Sequence, residues 1–342
     1  MRSLLLVPDW LRAALALLLV CSLIQPVLAG ENRPSSFIKG VTVSCQTSGW
    51  EWATPEMAKT LDELKSLGVN SIAIHPYAQI LNDGHVRFRA DDNFRHISVP
   101  LDWARERGLS VMLIPHIAYW GTKFLWRGEI NFQSTEEWDR FFGDYETWIV
   151  QMAQVAEAHG AGTFCIGLEF TYAQKFDAHW RRIIAAVRQV YHGKLTYGGN
   201  WDSFQEVTFW DALDYIGALA YFPLTKTTDP SEAEIAAAWQ RKCGELTAYS
   251  KAHGDKKFLF VEIGYNVSAR AAAEPWAFKM GGNNADEIQR RCIEVALDLP
   301  QRCPAIAGMY WWKWFPELPS FEEENYHLQT PEIKALIAKH WR

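Results

Sequence analysis

From Gly40 onward the chain alternates between two apolar patterns. In TPEMAKTLDELKSLG, residues 54–68, Met57, Leu61 and Leu64 recur at helical spacing between charged positions. Thr54 and Pro55 form a start signal and Gly68 a stop signal, so the segment predicts a capped amphipathic helix. SIAIHPY follows, short and apolar at successive positions, as in a strand buried on both faces. The same pairing recurs in VPLDWARERG with SVMLIPHI, WIVQMAQVAEAHG with TFCIGLEF, HWRRIIAAVRQVYHG with KLTYGGN, and CGELTAYSKAHG with KKFLFVEIGY. IKGVTVSC precedes the first helix, and YIGALAYF and IAGMYWWKW supply two more strands. Eight strands with intervening helices predict an α/β fold, a (β/α)8 TIM barrel in a single domain over residues 38–342. No glycine-rich dinucleotide fingerprint follows the early strands, which argues against an open, doubly wound sheet.

The first thirty residues follow a different pattern. Arg2 and Arg12 lead into an apolar run over residues 13–24, and Val27-Leu28-Ala29 precedes Gly30. This predicts a signal peptide over residues 1–29, cleaved after Ala29, and a secreted or periplasmic protein without stable membrane insertion after cleavage. Val20 is too bulky for Cys21 to be a lipid-anchoring cysteine. The formal charge of -6 and the lack of a basic run exclude nucleic acid as the expected partner. Cys45 and Cys165 lie in apolar strand contexts and read as buried thiols. Cys243, Cys292 and Cys303 admit one disulfide, with the pairing open. No cysteine or histidine spacing suggests zinc, so no metal or other cofactor is expected.

Polar and aromatic residues gather where the strands end, which in such a barrel is the mouth. His75 and Tyr77 end the second strand, and His116 the third, with Trp120 and Trp126 beyond it. Asn200 and Trp201 end the fifth, Tyr221 the sixth, and Trp311, Trp312 and Trp314 the eighth. Glu169 and Glu262 are the carboxylates that close otherwise apolar strands, the fourth and seventh, and strands four and seven lie across a barrel from one another. Two facing carboxyl groups suit glycoside hydrolysis, in which one protonates the leaving oxygen and the other attacks or stabilises the anomeric carbon. A carbohydrate is then the expected partner, and the seventeen tryptophans include faces on which sugars stack. His75 and His116 read equally as sugar contacts or as hydrogen-bonded structural histidines. Trp312 and Trp314 alternate, so both can face one side, as a subsite floor or as core. Trp126 with Arg127 reads as a sugar clamp or as a loop staple.

CIGLEF, DALDYIGALAYFPL, FLFVEIGY followed by AAAEPW, the terminal MYWWKW and the loop HIAYWGTKFLWRGEINF together resemble glycoside hydrolase family 113, the β-mannanase-type enzymes of a clan of retaining barrel glycosidases. The resemblance runs over residues 40–314 with the motifs in the same order. It implies double displacement with retention: Glu169 as general acid/base, Glu262 as nucleophile and Tyr221 hydrogen-bonded to the nucleophile. It also implies carboxyl groups about 5–5.5 Å apart. One position departs from the pattern. Most of the clan place an asparagine before the acid to bind the sugar 2-hydroxyl, and here Leu168 stands there, leaving Asn200 as the substitute contact. The expected function is an exported retaining β-glycosidase acting on β-mannan-type poly- or oligosaccharides. The alternatives are a retaining hydrolase of another β-glycan and a non-catalytic carbohydrate-binding barrel.

Overall fold

A computed structural model of the chain describes residues 37–89, 94–278, 280–317, 326 and 328–342; the expected signal segment, residues 1–29, lies outside them. Eight parallel strands close into a barrel: β1 (Ile38–Val43), β2 (Ser71–Ile74), β3 (Ser110–Leu113), β4 (Thr163–Leu168), β5 (Lys194–Asn200), β6 (Ile216–Leu219), β7 (Phe258–Ile263) and β8 (Ile306–Trp314). Sequence neighbours are sheet neighbours, and β1 closes the ring against β8. Phe37–Arg342 form one unit. The expected architecture is the observed one.

Helices α1 (Pro55–Ser66), α2 (Arg95–Glu106), α3 (Thr135–Ala158), α4 (Asp177–Arg188), α5 (Glu232–Ala252), α6 (Ala285–Leu297), the single-turn α7 (Leu299–Arg302) and α8 (Pro331–Trp341) cover the barrel. The longest, α3, begins at a capping box in which Ser134 and Glu137 satisfy each other's backbone N–H groups. Its Trp138, Phe141, Phe142, Tyr145, Trp148 and Met152 form one buried stripe against the strands. Between β5 and β6 the sequence has no amphipathic run. The chain crosses there in two 3-10 turns, Phe204–Glu206 and Trp210–Ala212.

Side chains alternate between two cores. Phe164 and Ile166 of β4 and Phe258 and Phe260 of β7 face the helices. Cys165, Leu168, Leu259 and Val261 fill the barrel interior with Met112 and Leu219. The interior is tight. A Cβ on Gly198 would lie 2.8 Å from the Leu168 Cβ and 3.0 Å from a Val261 methyl. Most of the large indoles serve the outer layer: Trp52, Trp148, Trp180, Trp210, Trp239, Trp311, Trp314 and Trp341 are all fully buried.

Two features differ from the sequence expectation. SIAIHPY and SVMLIPHI are each interrupted at a proline. Pro76 and Pro115 lack the N–H that a ladder needs, so the chain leaves the barrel and pairs again outside it. Tyr77–Ile80 runs parallel to His116–Ala118, with Val86–Arg87 antiparallel on the other side, in a small sheet beside the mouth. The cysteines differ too. Cys45, Cys165, Cys243, Cys292 and Cys303 are all free thiols, and Cys45 is only half-buried. Cys243 and Cys303 are both buried, and Cys292 is enclosed on the buried face of α6. Among the described residues no helix is long and apolar enough to cross a membrane.

Candidate active site

Both acidic residues reach the mouth because strand alternation fails beside them. The register of β4 against β5 shifts between Cys165 and Leu168, both of which face the barrel interior, so continuing the strand from Leu168 would turn Glu169 outward to the helices. Glu169 instead takes a left-handed backbone, φ 62°, and its carboxylate meets Arg127 from the loop after β3. A non-glycine residue holds this conformation only where its surroundings enforce it, which is characteristic of functional sites. On β7, Val261 faces the interior and Ile263 the helices. A register shift between Phe260 and Glu262 against β6 turns Glu262 inward as well. Such bulges recur at barrel rims because one extra residue re-aims those that follow.

Glu262 lies deep, its side chain 7% exposed, whereas that of Glu169 is 20% exposed. The Tyr221 hydroxyl, at the end of β6, donates to Glu262 Oε2 at 2.9 Å. His116 Nε2 stands 3.7 Å from the other oxygen, Oε1. Burial and the neighbouring Glu169 push the Glu262 carboxyl up to about 8, against the opposing pull of Arg127, the Tyr221 hydrogen bond and Lys313. The two carboxyl groups therefore influence one another across the mouth. Burial, reinforced by the Glu262 charge, pushes the Tyr221 phenol up, so it remains a donor.

Arg127 belongs to a 3-10 turn, Arg127–Glu129, next to Trp126, whose ring lies over Gly128. Its Nε donates to the Ile117 carbonyl at 2.8 Å, one Nη contacts His116 Nδ1 at 3.1 Å, and the other donates to Glu169 Oε2. The guanidinium also lies over the Tyr119 ring. Burial alone would lower its pKa; the Glu169 carboxylate, by charge and hydrogen bond, and Glu262 outweigh that and raise it. His116 stacks on His75, 4.8 Å away, and both rings lie against Trp312, at 6.1 Å and 5.4 Å respectively. Burial holds His75 down to about 3 and His116 well below the ordinary histidine range, aided by nearby cations, so both rings are neutral. The His75 Nε2 pairs with Ser44 Oγ at 3.1 Å.

The family-wide sequence pattern described as Glycoside Hydrolase Family 113 matches residues 41–329. The chain belongs to glycoside hydrolase family 113. Solved structures agree on the fold. One is a family-113 β-1,4-mannanase in a complex, 24% identical, with 90% of this chain and 99% of that one covered at a TM-score of 0.77. A second is the family-113 β-mannanase of Alicyclobacillus acidocaldarius in complex with ManMIm, 26% identical, covering 90% and 97% at a TM-score of 0.76. A family-5 mannosidase from Rhizomucor miehei is more distant, 12% identical over 89% and 92% at 0.61. A search of the curated proteins found no match.

This family-113 hydrolase brings Glu169, Glu262, Tyr221, His75, His116 and Trp312 to one mouth. Trp314 does not join them. A register shift in β8, opposite Val41 and Val43, breaks its alternation with Trp312 and leaves it fully buried in the outer layer, under the Lys334 ammonium. Trp311 and Tyr265 are likewise buried in that layer, with Tyr265 accepting from the Trp239 indole. Asn200 is nearly buried, its Nδ2 3.5 Å from the Thr171 hydroxyl, two residues beyond Glu169. Leu168 cannot replace it, because that side chain points down into the barrel. Trp201 stacks on the exposed Trp276 at 4.8 Å, and Trp126 and Trp120 are exposed beside Arg127 on the β3 loop. The sequence reading grouped Arg127 with Trp126 and missed its partner, Glu169, 42 residues further on. It also missed Tyr326, packed 6.1 Å from Tyr221 and donating to the Pro275 carbonyl.

Proposed function

We propose that this hydrolase cleaves β-1,4-linked mannan or its oligosaccharides with net retention, by double displacement. Glu262 attacks the anomeric carbon while Glu169 protonates the departing glycosidic oxygen. Glu169 then takes a proton from water, which attacks the same carbon and releases Glu262. Glu262, pushed up to about 8, attacks as the carboxylate and so must first lose its proton; the enclosure of one acid and the openness of the other support this division. Glu262 is enclosed and held by one phenolic hydrogen bond, as suits a group that forms and breaks a covalent bond in place. Glu169 is more open to solvent, as suits a group that exchanges protons with water in the second step. Trp312, Trp201, Trp276 and Trp126 offer faces for sugar rings around the pair. Asn200, beside the Glu169 loop, serves the 2-hydroxyl that an asparagine before the acid would otherwise bind.

The observation that carries the reading is the pair itself: two carboxyl groups on opposite strands, within electrostatic reach in one mouth, in a family-113 chain. The choice of mannan is supported by the β-mannanase activity named for the two family-113 structures. The test is hydrolysis of β-mannan, β-glucan and related polymers, with the first-formed anomer read by proton NMR. Release of the β-anomer from β-mannan is expected. Release of the α-anomer overturns retention, and cleavage of another β-glycan alone overturns the substrate. The protein is also proposed to be exported, on the strength of residues 1–29. Expression of the full chain should yield an extracytoplasmic protein whose N-terminus is Gly30, and retention of Met1 in the cytoplasm would refute it.

A further inference from the structure

We infer that Arg127 is a positioning residue for both carboxyl groups at once: it aims Glu169 by direct contact and Glu262 by fixing where His116 carries its proton. The inference rests on the proposed roles of the two acids and adds the element that links them. A guanidinium has donors and no acceptor. Its contact with His116 Nδ1 therefore requires a lone pair on that nitrogen, which leaves the proton of the neutral ring on Nε2. That Nε2–H faces Glu262 Oε1 at 3.7 Å and, among the described residues, is buried without another partner. A shift of a few tenths of an ångström would complete a hydrogen bond to the oxygen that Tyr221 leaves free. The His116 ring is held for this by packing against both His75 and Trp312, which also touch each other, and Arg127 is anchored by the Ile117 carbonyl. One buried cation thus spans the mouth, from Glu169 directly to Glu262 through a neutral imidazole.

Other ionisable groups also face the pair. Toward Glu262 these are Tyr221, Lys313, Tyr77, Tyr326 and Cys165. Toward Glu169 they are Tyr197 and Tyr221. Burial raises the phenols and the thiol, so they stay neutral through the working range. His75 is also neutral, behind His116.

The test is the dependence of kcat/KM on pH, measured on soluble β-1,4-manno-oligosaccharides. The acid limb reports ionisation of the nucleophile, and the alkaline limb reports loss of the acid's proton. Arg127→Met removes the charge from both carboxyl groups, so both limbs should move to higher pH, by roughly one unit or more. Arg127→Lys keeps a charge beside Glu169 and gives up His116, so the acid limb should move while the alkaline limb stays. His116→Phe keeps the stack and removes the donor, with the same result. Combining it with Arg127→Lys should add nothing further, because the two act in series. A residue that merely staples the loop would lower the height of the profile and leave both limbs in place. Unmoved limbs in Arg127→Lys and His116→Phe overturn the inference even if Arg127→Met fails to fold. A wild type inactive on every β-glycan would instead refute the proposed function.

Discussion

The body of the barrel and its rim follow opposite rules. In the body, side chains alternate between the interior and the helix layer with period two, and glycines such as Gly198 let the interior close. At the rim, β4 leaves the pattern between Cys165 and Leu168 and again at Glu169, β7 at Glu262 and β8 before Trp314. Regular alternation builds the container, and interruptions of it turn polar groups into the container's opening. The two regions should therefore respond to mutation in different quantities, the body in stability and the rim in rate.

The sharpest separation is expected at the carboxyl groups. Glu262→Gln and Glu169→Gln should each lose roughly 10²–10⁴-fold in turnover of mannan while circular dichroism and melting stay those of a folded barrel. Near-normal turnover in either variant would remove that residue from the chemistry. The neighbouring indoles should divide the same way. Trp314→Ala empties a fully buried site and should cost about 3–5 kcal/mol in denaturant unfolding. Trp312→Ala, at a half-buried rim position, should chiefly reduce kcat/KM. An equal loss of stability in both would dissolve the distinction between body and rim.

Tyr221→Phe deletes one hydrogen bond to a carboxylate, worth about 1.5–3 kcal/mol, and should slow turnover about tenfold to a hundredfold with an acid limb moved to higher pH. Asn200→Ala should produce a smaller loss, a few-fold, corresponding to about 0.5–1.5 kcal/mol for one neutral hydrogen bond to the sugar. Unchanged kinetics there would leave the 2-hydroxyl contact unassigned.

The smallest expected effect is on stability. Because Glu262 is pushed up to about 8, the folded protein binds its proton more tightly than the unfolded chain does. Its contribution is present in full below the ordinary carboxyl range and lost as pH rises toward 8. His75, held down to about 3, acts in the opposite sense and lowers stability as pH falls below about 6.5. The melting temperature of wild type should therefore drop relative to that of Glu262→Gln by a few degrees between pH 6 and 9. Parallel melting curves for the two proteins would contradict the burial assigned to Glu262.

The same division governs what the sequence disclosed. Strand positions were legible because double-sided burial leaves apolar runs, and Glu169 and Glu262 stood out because a carboxylate ending such a run needs a reason. Their orientation was not legible, since a bulge is a relation between two strands and neither strand's sequence contains it alone. The expectation that Trp312 and Trp314 share a face failed for that reason. Pro76 and Pro115 signal an interrupted ladder, yet the sheet formed beyond them depends on both segments leaving the barrel together. Arg127 offered no periodicity to read, and its partner became visible only once the loop after β3 lay against the end of β4. The β5–β6 crossover in two 3-10 turns was not read from the sequence, which was expected to place helices between its strands.

The way the indoles are distributed gives the molecule two optical populations. Trp52, Trp148, Trp180, Trp210, Trp239, Trp311, Trp314 and Trp341 are sealed from water, whereas Trp50, Trp120, Trp126 and Trp276 are 38–57% exposed. Iodide or another charged quencher would extinguish the emission of the second group and spare the first. A sugar lying against Trp126 or Trp276 would shield that fraction, so ligand occupancy could be followed by intrinsic fluorescence with no added dye.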